Sequence, residues 1–229
     1  MVTGKNTGDR NERRLLREAL RLAYKEYAEE PMADFYSRPL LGIPSRTRVT
    51  RIVQSLAQTK GRILDVGCEA GYVVHSLRQT TPVSIVGVDP CLPALLDFKG
   101  RTGFLAERVS LCSAIAQEIC FQSGVFDAVI CTEVLEHTPD IDGIFAEVER
   151  VLKKNGLFIL SLPYERVRKL VYPLLKLCGI NTDVEKEVNL FTYERKVVEE
   201  KLKKRFIIDQ VSVIFRWFPL TYFFCCRKR

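Results

Sequence analysis

The chain has 229 residues, of which 47% are hydrophobic and 28% charged, with a formal net charge of +7. That length suits one ample domain with short additions, which buries roughly 70% of its unfolded-chain surface and needs no disulfide staples. Eight cysteines with no CxxC pair and no regular spacing exclude a disulfide scaffold. Cys68, Cys112, Cys120 and Cys131 lie in apolar runs, where a thiol behaves as a small hydrophobe. The expectation is a reducing, cytoplasmic setting, and no apolar core of a signal peptide opens the chain.

Lys and Arg number 12 against 7 acidic residues through residue 60, 8 against 13 over 61–162, and 15 against 8 from 163 onward. An acidic middle with basic flanks fits anionic substrates or surfaces, and equally well solvated helix faces. No basic tract is dense enough, or interleaved with aromatics, to read as a nucleic-acid patch.

Residues 1–9 are polar and expected to fray. Asn11 can cap a helix in which Leu15, Leu16, Ala19, Leu20, Ala23, Tyr24 and Tyr27 recur at helical spacing. Interleaved Glu12, Glu18 and Glu26 favour a lid or packing helix over a weak peripheral membrane contact. After Pro31, a loop marked by Pro39, Gly42 and Pro44 leads to a second helix at about 46–58. Residues 1–59 thus read as a helical lid or substrate-side extension, and 60–229 as the main domain.

From residue 62 the rhythm changes to short apolar runs separated by helical stretches: RILDVG, VSIVGVD, VSLCSA, FDAVICT and GLFILSLP. This is the pattern of a doubly wound α/β domain, a mostly parallel sheet of seven strands covered on both faces. After Pro163 the apolar segment VRKLVYPLLKLCGI, interrupted by Pro173, is placed as a cap insertion at about 163–190. A charged helix at about 193–204 then precedes FIIDQVSVIF and LTYFFCC, an antiparallel closing hairpin. LTYFFCC is too short and too interrupted to span a membrane, and suits a buried central strand.

Ligands of such sheets bind beyond the carboxyl ends of the strands, near the switch in strand order. Three ends carry polar residues here: Asp65-Val66-Gly67-Cys68-Glu69-Ala70-Gly71, then Asp89, then Cys131-Thr132-Glu133. Asp89 lies where a dinucleotide site would keep its ribose acid, but the glycines read GxxxG rather than GxGxxG. Glu69 would also oppose a pyrophosphate at the helix start. The pattern argues against NAD and is indifferent to a cofactor without phosphate.

ILDVGCEAG, VGVDP, FDAVICTEVLEHTPD and ERVLKKNGLFILSLP, in that order and spacing, resemble the class I S-adenosylmethionine-dependent methyltransferases. The group most similar is the one that includes the ubiquinone-biosynthesis O-methyltransferases. The resemblance covers about residues 60–163. It implies S-adenosyl-L-methionine as cofactor, with Asp65, Gly67, Cys68 and Gly71 forming the turn around its amino-acid end. Asp89 would take the ribose hydroxyls, Pro90 and Ala116 the adenine, and Cys131-Thr132 the end of the fourth strand. Ile115 departs from the family pattern, because an aspartate usually meets the adenine amino group there.

The same resemblance puts His137 and Glu136 on the substrate side, with His137 the candidate general base. The alternative is that EVLEH merely opens a helix through local capping. Glu133, Glu136 and His137 stand at i, i+3, i+4, which can converge on a helix face. Some relatives hold magnesium at ExxEH, but no fourth ligand is evident and no metal is assigned. His75 reads as packing, and Tyr72 as either cofactor cover or core. Tyr36, Arg38 and Tyr164 are expected near the substrate entrance. The implied activity is methyl transfer to a small molecule, an O-nucleophile on an anionic or amphiphilic, lipid-linked or glycan intermediate. An RNA or protein methyltransferase and a non-catalytic binding module are the alternatives.

Overall fold

A computed structural model describes residues 42–102, 108–177, 189–215 and 219–229, with isolated positions between 14 and 39. Helix α1 is Ile43–Leu56, α2 Tyr72–Thr80, α3 Leu92–Thr102, α4 Ile141–Val151, α5 Glu165–Leu177 and α6 Arg195–Lys203. The strands are β1 Arg62–Val66, β2 Ser84–Val88, β3 Val109–Cys112, β4 Phe126–Thr132, β5 Leu152–Pro163, β6 Phe206–Ile214 and β7 Thr221–Lys228. The described positions from Arg14 to Ala28 are helical. Asn11, Leu15, Leu16, Ala19, Ala23, Pro31, Tyr36, Arg38 and 178–188 lie outside the described residues.

The seven strands form one sheet in the order β3-β2-β1-β4-β5-β7-β6. The first five are mutually parallel, and β7 enters antiparallel between β5 and β6. LTYFFCC is therefore an interior strand, as its apolarity predicts. The order reverses between β1 and β4, so the ligand crevice of this topology opens at their carboxyl ends.

Alternating side chains divide the core between the two faces. Leu64, Val66, Val129, Cys131, Phe158 and Leu160 meet α4 and α6 on one face. Ile63, Ile85, Ala128, Ile130 and Ile159 meet α1, α2 and α3 on the other. Helix α1 contributes Val49, Ile52 and Leu56 to this second layer, each 5% exposed or less. Pro44 sits in its first turn, where a missing N–H leaves no helical bond unmade.

Two boundaries differ from the sequence pattern. Helix α5 runs through Pro173 instead of stopping there; its strongly amphipathic pattern outweighs the loss of one N–H donor. Helix α1 begins at Ile43, a turn earlier than the apolar spacing indicates, because Pro44 favours a helix start. Among the described residues no helix is long and apolar enough to cross a membrane.

Phe145, Phe158 and Phe206 make the centre of the first layer, with ring centroids 5.0 to 6.5 Å apart. Phe158→Ala should cost about 3–5 kcal/mol of unfolding free energy. Urea denaturation measures it, and a loss under about 1 kcal/mol would show that this cluster is not the packed centre.

Candidate active site

After β1 the chain reverses within five residues. The N–H groups of Gly67 and Cys68 both donate to the Val88 carbonyl, at 2.8 and 3.1 Å, closing the turn against β2. Gly67, Glu69 and Gly71 take positive φ of 74°, 44° and 75°, the left-handed region that glycine enters without penalty. Space is restricted as well: a Cβ on Gly67 would strike Val134, and one on Gly71 would lie 2.5 Å from the Phe98 ring. Glu69 carries the conformational penalty of a side chain in this region, roughly 1–2 kcal/mol. Its N–H donates to Asp89 Oδ2 at 2.8 Å, which fixes the strained residue in place.

Asp89 Oδ1 accepts a second backbone bond, from Cys91 at 2.7 Å. Burial pushes this carboxyl up, while the two N–H donors and the charge of His137 pull it back. Asp65, 1% exposed, ends β1 beside it. Burial and the negative charge of Asp89 push Asp65 up to about 8 against the pull of Arg48. Its Oδ2 finds no hydrogen-bond partner among the described residues. The Tyr24 hydroxyl donates to the Pro90 carbonyl at 2.8 Å and accepts from Leu92 N–H at 3.3 Å. The N-terminal helix therefore rests on the β2–α3 loop, a contact that the sequence pattern did not announce.

On the far side of Asp89 lies the loop after β3. Ala116 is buried and Ile115 half-buried. The Gln117 amide donates to Thr138 Oγ1. Glu147 accepts from Ile119 N–H at 2.9 Å, and Arg150 donates to the Ile119 and Phe121 carbonyls at 2.7 and 2.6 Å.

At the end of β4 the Cys131 side chain is fully buried in the core, and burial pushes its thiol up. Its backbone, and that of half-buried Thr132, face the crevice end of the strand. Glu133 then turns the chain with φ 55°, and Leu135–His137 forms a single 3₁₀ turn. This corrects the expectation of a continuous helix face through Glu133, Glu136 and His137; the regular helix starts only at Ile141. Among the described residues no group of three or more His, Cys, Asp and Glu side chains is placed to hold a metal ion.

The side chains around Glu133 nonetheless cluster. Its Oε1 accepts from the Ser161 hydroxyl at 2.7 Å. Its Oε2 lies 3.4 Å from Arg48 and 3.2 Å from Arg168. Burial pushes Glu133 up, but the two arginines, Ser161 and His137 outweigh it and hold the carboxyl below its ordinary range. Glu136, 2% exposed, goes the other way. Burial and the adjacent Glu133 charge push it well above the ordinary carboxylate range. Two neighbouring carboxyls are thus shifted in opposite directions by their surroundings. His75 is on the solvent side of α2, bonded to Gln79 at 2.9 Å, rather than packed inside. Tyr72 is half-buried against the second core layer. The Tyr164 ring packs on Tyr222 with centroids 4.8 Å apart.

A family model described as "Methyltransferase domain" matches residues 64–160, the segment that carries every one of these strand ends up to β5. Residues 64–160 thus match a methyltransferase domain, in line with the resemblance to the class I S-adenosylmethionine-dependent methyltransferases. The chain is 33% identical over 132 residues to a ubiquinone biosynthesis O-methyltransferase of Xanthomonas oryzae, covering 56% of this chain and 54% of that protein. It is 30% identical over 125 residues to a sterol 24-C-methyltransferase of Aspergillus fumigatus, covering 51% and 33%. The chain thus matches between a third and about half the length of these relatives. In fold it resembles magnesium protoporphyrin IX methyltransferase of Synechocystis solved with bound SAH, with a TM-score of 0.70, 13% identity and coverage of 91% and 99%.

The raised carboxyl of Asp65 has a consequence for the methyltransferase domain itself. Its folded pKa lies above the unfolded value, so the folded state binds more protons and stability falls as pH rises between the two. Asp65→Asn should remove that loss. The variant should gain at least about 1 kcal/mol on wild type between pH 5 and 9, the worth of one pKa unit. Denaturant titrations across that range test it, and a difference that does not change with pH would refute it.

Proposed function

We propose that the protein transfers a methyl group from S-adenosylmethionine to a small-molecule oxygen nucleophile carried on an anionic or amphiphilic, lipid-linked or glycan compound. The observation that carries the cofactor assignment is the pair of buried carboxyls, Asp65 and Asp89, at the ends of β1 and β2. An acid with an unpartnered oxygen beside a second acid suits a cationic, phosphate-free ligand and opposes a pyrophosphate. The cofactor supplies a methyl already activated on a sulfonium, so the protein must mainly hold and align.

Each placed residue fits a part of that task. Gly67 and Cys68 present a tight backbone turn after β1, with the Cys68 side chain buried against Gly87. Asp89 keeps lone pairs on both oxygens beyond its two backbone bonds, which can accept ribose hydroxyls. Pro90 and Ala116 flank the place of the base, where Ile115 supplies no acceptor and the neighbouring backbone must serve instead. Gly71 brings the start of α2 close, and the Cys131 and Thr132 backbone closes the opposite wall.

His137 lies within electrostatic reach of both Asp89 and Glu133, between the cofactor end and the ionic cluster. It is the group placed to take a proton from an acceptor hydroxyl. Glu136, whose buried carboxyl favours the protonated form more than an ordinary carboxylate does, is fitted better to donate a hydrogen bond than to act as base. For the acceptor, the support is helix α5. It exposes Leu170 and Leu177, 77% and 84% accessible, beside Lys169 and Lys176. Sterol and ubiquinone-pathway relatives point the same way.

Calorimetric titration with S-adenosylmethionine tests the first half. Binding is expected, and Asp89→Ala should weaken it at least about tenfold, the loss of one charge-assisted hydrogen bond. No binding at millimolar cofactor, or binding indifferent to that substitution, would overturn the assignment. His137→Ala should keep the affinity within about twofold. It should cut radiolabelled methyl transfer to a panel of amphiphilic phenols by about 10²-fold or more.

A further inference from the structure

The loop after β3 is bracketed by two cysteines whose sulfurs lie 2.9 Å apart. Cys112 is the last residue of β3, and Cys120 lies exposed at the other end of the loop. Both are free thiols. Between them run Ser113 to Ile119, including Ile115 and Ala116 on the adenine side of the proposed site.

Both anchors of the pair are fixed by bonds outside it. The Cys112 carbonyl accepts from Asp89 N–H at 3.2 Å. Cys120 stands between Ile119 and Phe121, whose carbonyls Arg150 holds at 2.7 and 2.6 Å. Arg150 is itself held by Glu147 at 2.7 Å. The surrounding bonds thus bring the sulfurs together, and bonding them asks for a shift of about 1 Å, since a disulfide spans about 2.0 Å. One sulfur is open to an oxidant from solution and the other is its immediate neighbour, the arrangement of an attacking and a resolving thiol.

We propose that Cys112 and Cys120 are a redox-active dithiol that closes to a disulfide across the adenine-side loop and slows cofactor exchange. With hydrogen peroxide as oxidant, the Cys120 thiolate attacks one peroxide oxygen, displaces hydroxide and becomes a sulfenic acid. The Cys112 sulfur then attacks the Cys120 sulfur, forming the S–S bond and releasing the sulfenic oxygen as water. The two thiol hydrogens and two electrons pass to the peroxide, which leaves as two waters. Cys112 holds its proton in the reduced pair, because the hydrogen bond with Cys120, with burial second, pushes it up to about 11. That leaves Cys120 as the sulfur that reacts first. The closed ring ties the base of the loop to the end of β3, where the Cys112 carbonyl accepts from Asp89 N–H. The effect on exchange rests on the cofactor reading above, whereas the chemistry of the pair does not.

The experiment treats the full chain with a few equivalents of hydrogen peroxide and maps the product. Trypsin leaves both cysteines in the peptide from Val109 to Arg150, so a second cut after Glu118 separates them. The expected result is a Cys112–Cys120 cross-link, 2 Da lighter than the two thiols, lost in Cys112→Ser and in Cys120→Ser. Both fragments free after oxidation, or a link that forms only to other cysteines, would overturn the dithiol. Stopped-flow release of S-adenosylhomocysteine should then slow at least threefold on oxidation of wild type and stay unchanged in Cys120→Ser. A mapped cross-link with an unchanged release rate would overturn the gating role. A cross-link in a protein that binds no cofactor in either state would support the dithiol, overturn its gating role and count against the methyltransferase reading.

Discussion

Two arginines from opposite ends of the chain converge on one buried carboxylate. Arg48 comes from α1, ahead of the sheet, and Arg168 from α5, after its fifth strand; both reach Glu133 Oε2 at the end of β4. Ser161 on β5 holds the other oxygen. A buried pair of this kind adds little net stability compared with an apolar replacement, but removing one partner costs about 3–5 kcal/mol, because a charge is left stranded. Its contribution is therefore geometric. Helices α1 and α5 are thereby tied to the end of β4 by a residue that itself turns the chain with a left-handed φ.

That arrangement also sets the chemistry beside it. With Glu133 ionised, a second charge at Glu136 would face a like charge in a medium that solvates neither, which raises the Glu136 pKa. His137 follows directly in the chain and sits where the fields of Glu133 and Asp89 overlap. The opposite shifts within this cluster thus follow from its ion pairs, and a change in Arg48 or Arg168, which touch Glu133, would be felt at Glu133 first and at Glu136 through it.

The parts of the fold set by periodicity were legible in the sequence. Parallel strands buried on both faces show as continuous apolar runs, and GxxxG after the first of them marks a turn that needs left-handed residues. The position of the carboxylates at strand ends follows from that same pattern. What was not legible depends on contacts between distant segments. Nothing in RTRVT around Arg48 separates it from a solvent-facing arginine, and its partner is 85 positions away. Tyr24 looked like one more apolar-face residue of its helix, yet its hydroxyl closes the loop after Asp89. His75 failed as a packing residue for a plainer reason: Val73, Val74 and Leu77 already fill the buried face of α2, which leaves position 75 outside. The Glu133–His137 spacing suggested a helix face, but a left-handed residue at its start breaks the helical period.

Asp89 shows why Glu69 is tolerated in the turn. The Asp89 N–H is bonded to the end of β3, one side-chain oxygen holds the strained turn at Glu69 and the other holds the start of the next loop at Cys91. Three loops that line one side of the crevice are thereby tied to a single residue. A glycine at position 69 would relieve the backbone, but the turn does not need it, because the bond to Asp89 offsets the cost of a left-handed glutamate. A carboxyl at this position would oppose a phosphate at the start of α2. Asp65, Glu69 and Asp89 thus set carboxyl groups around the turn, and through its bonds to Glu69 and Cys112 Asp89 couples the turn to the end of β3.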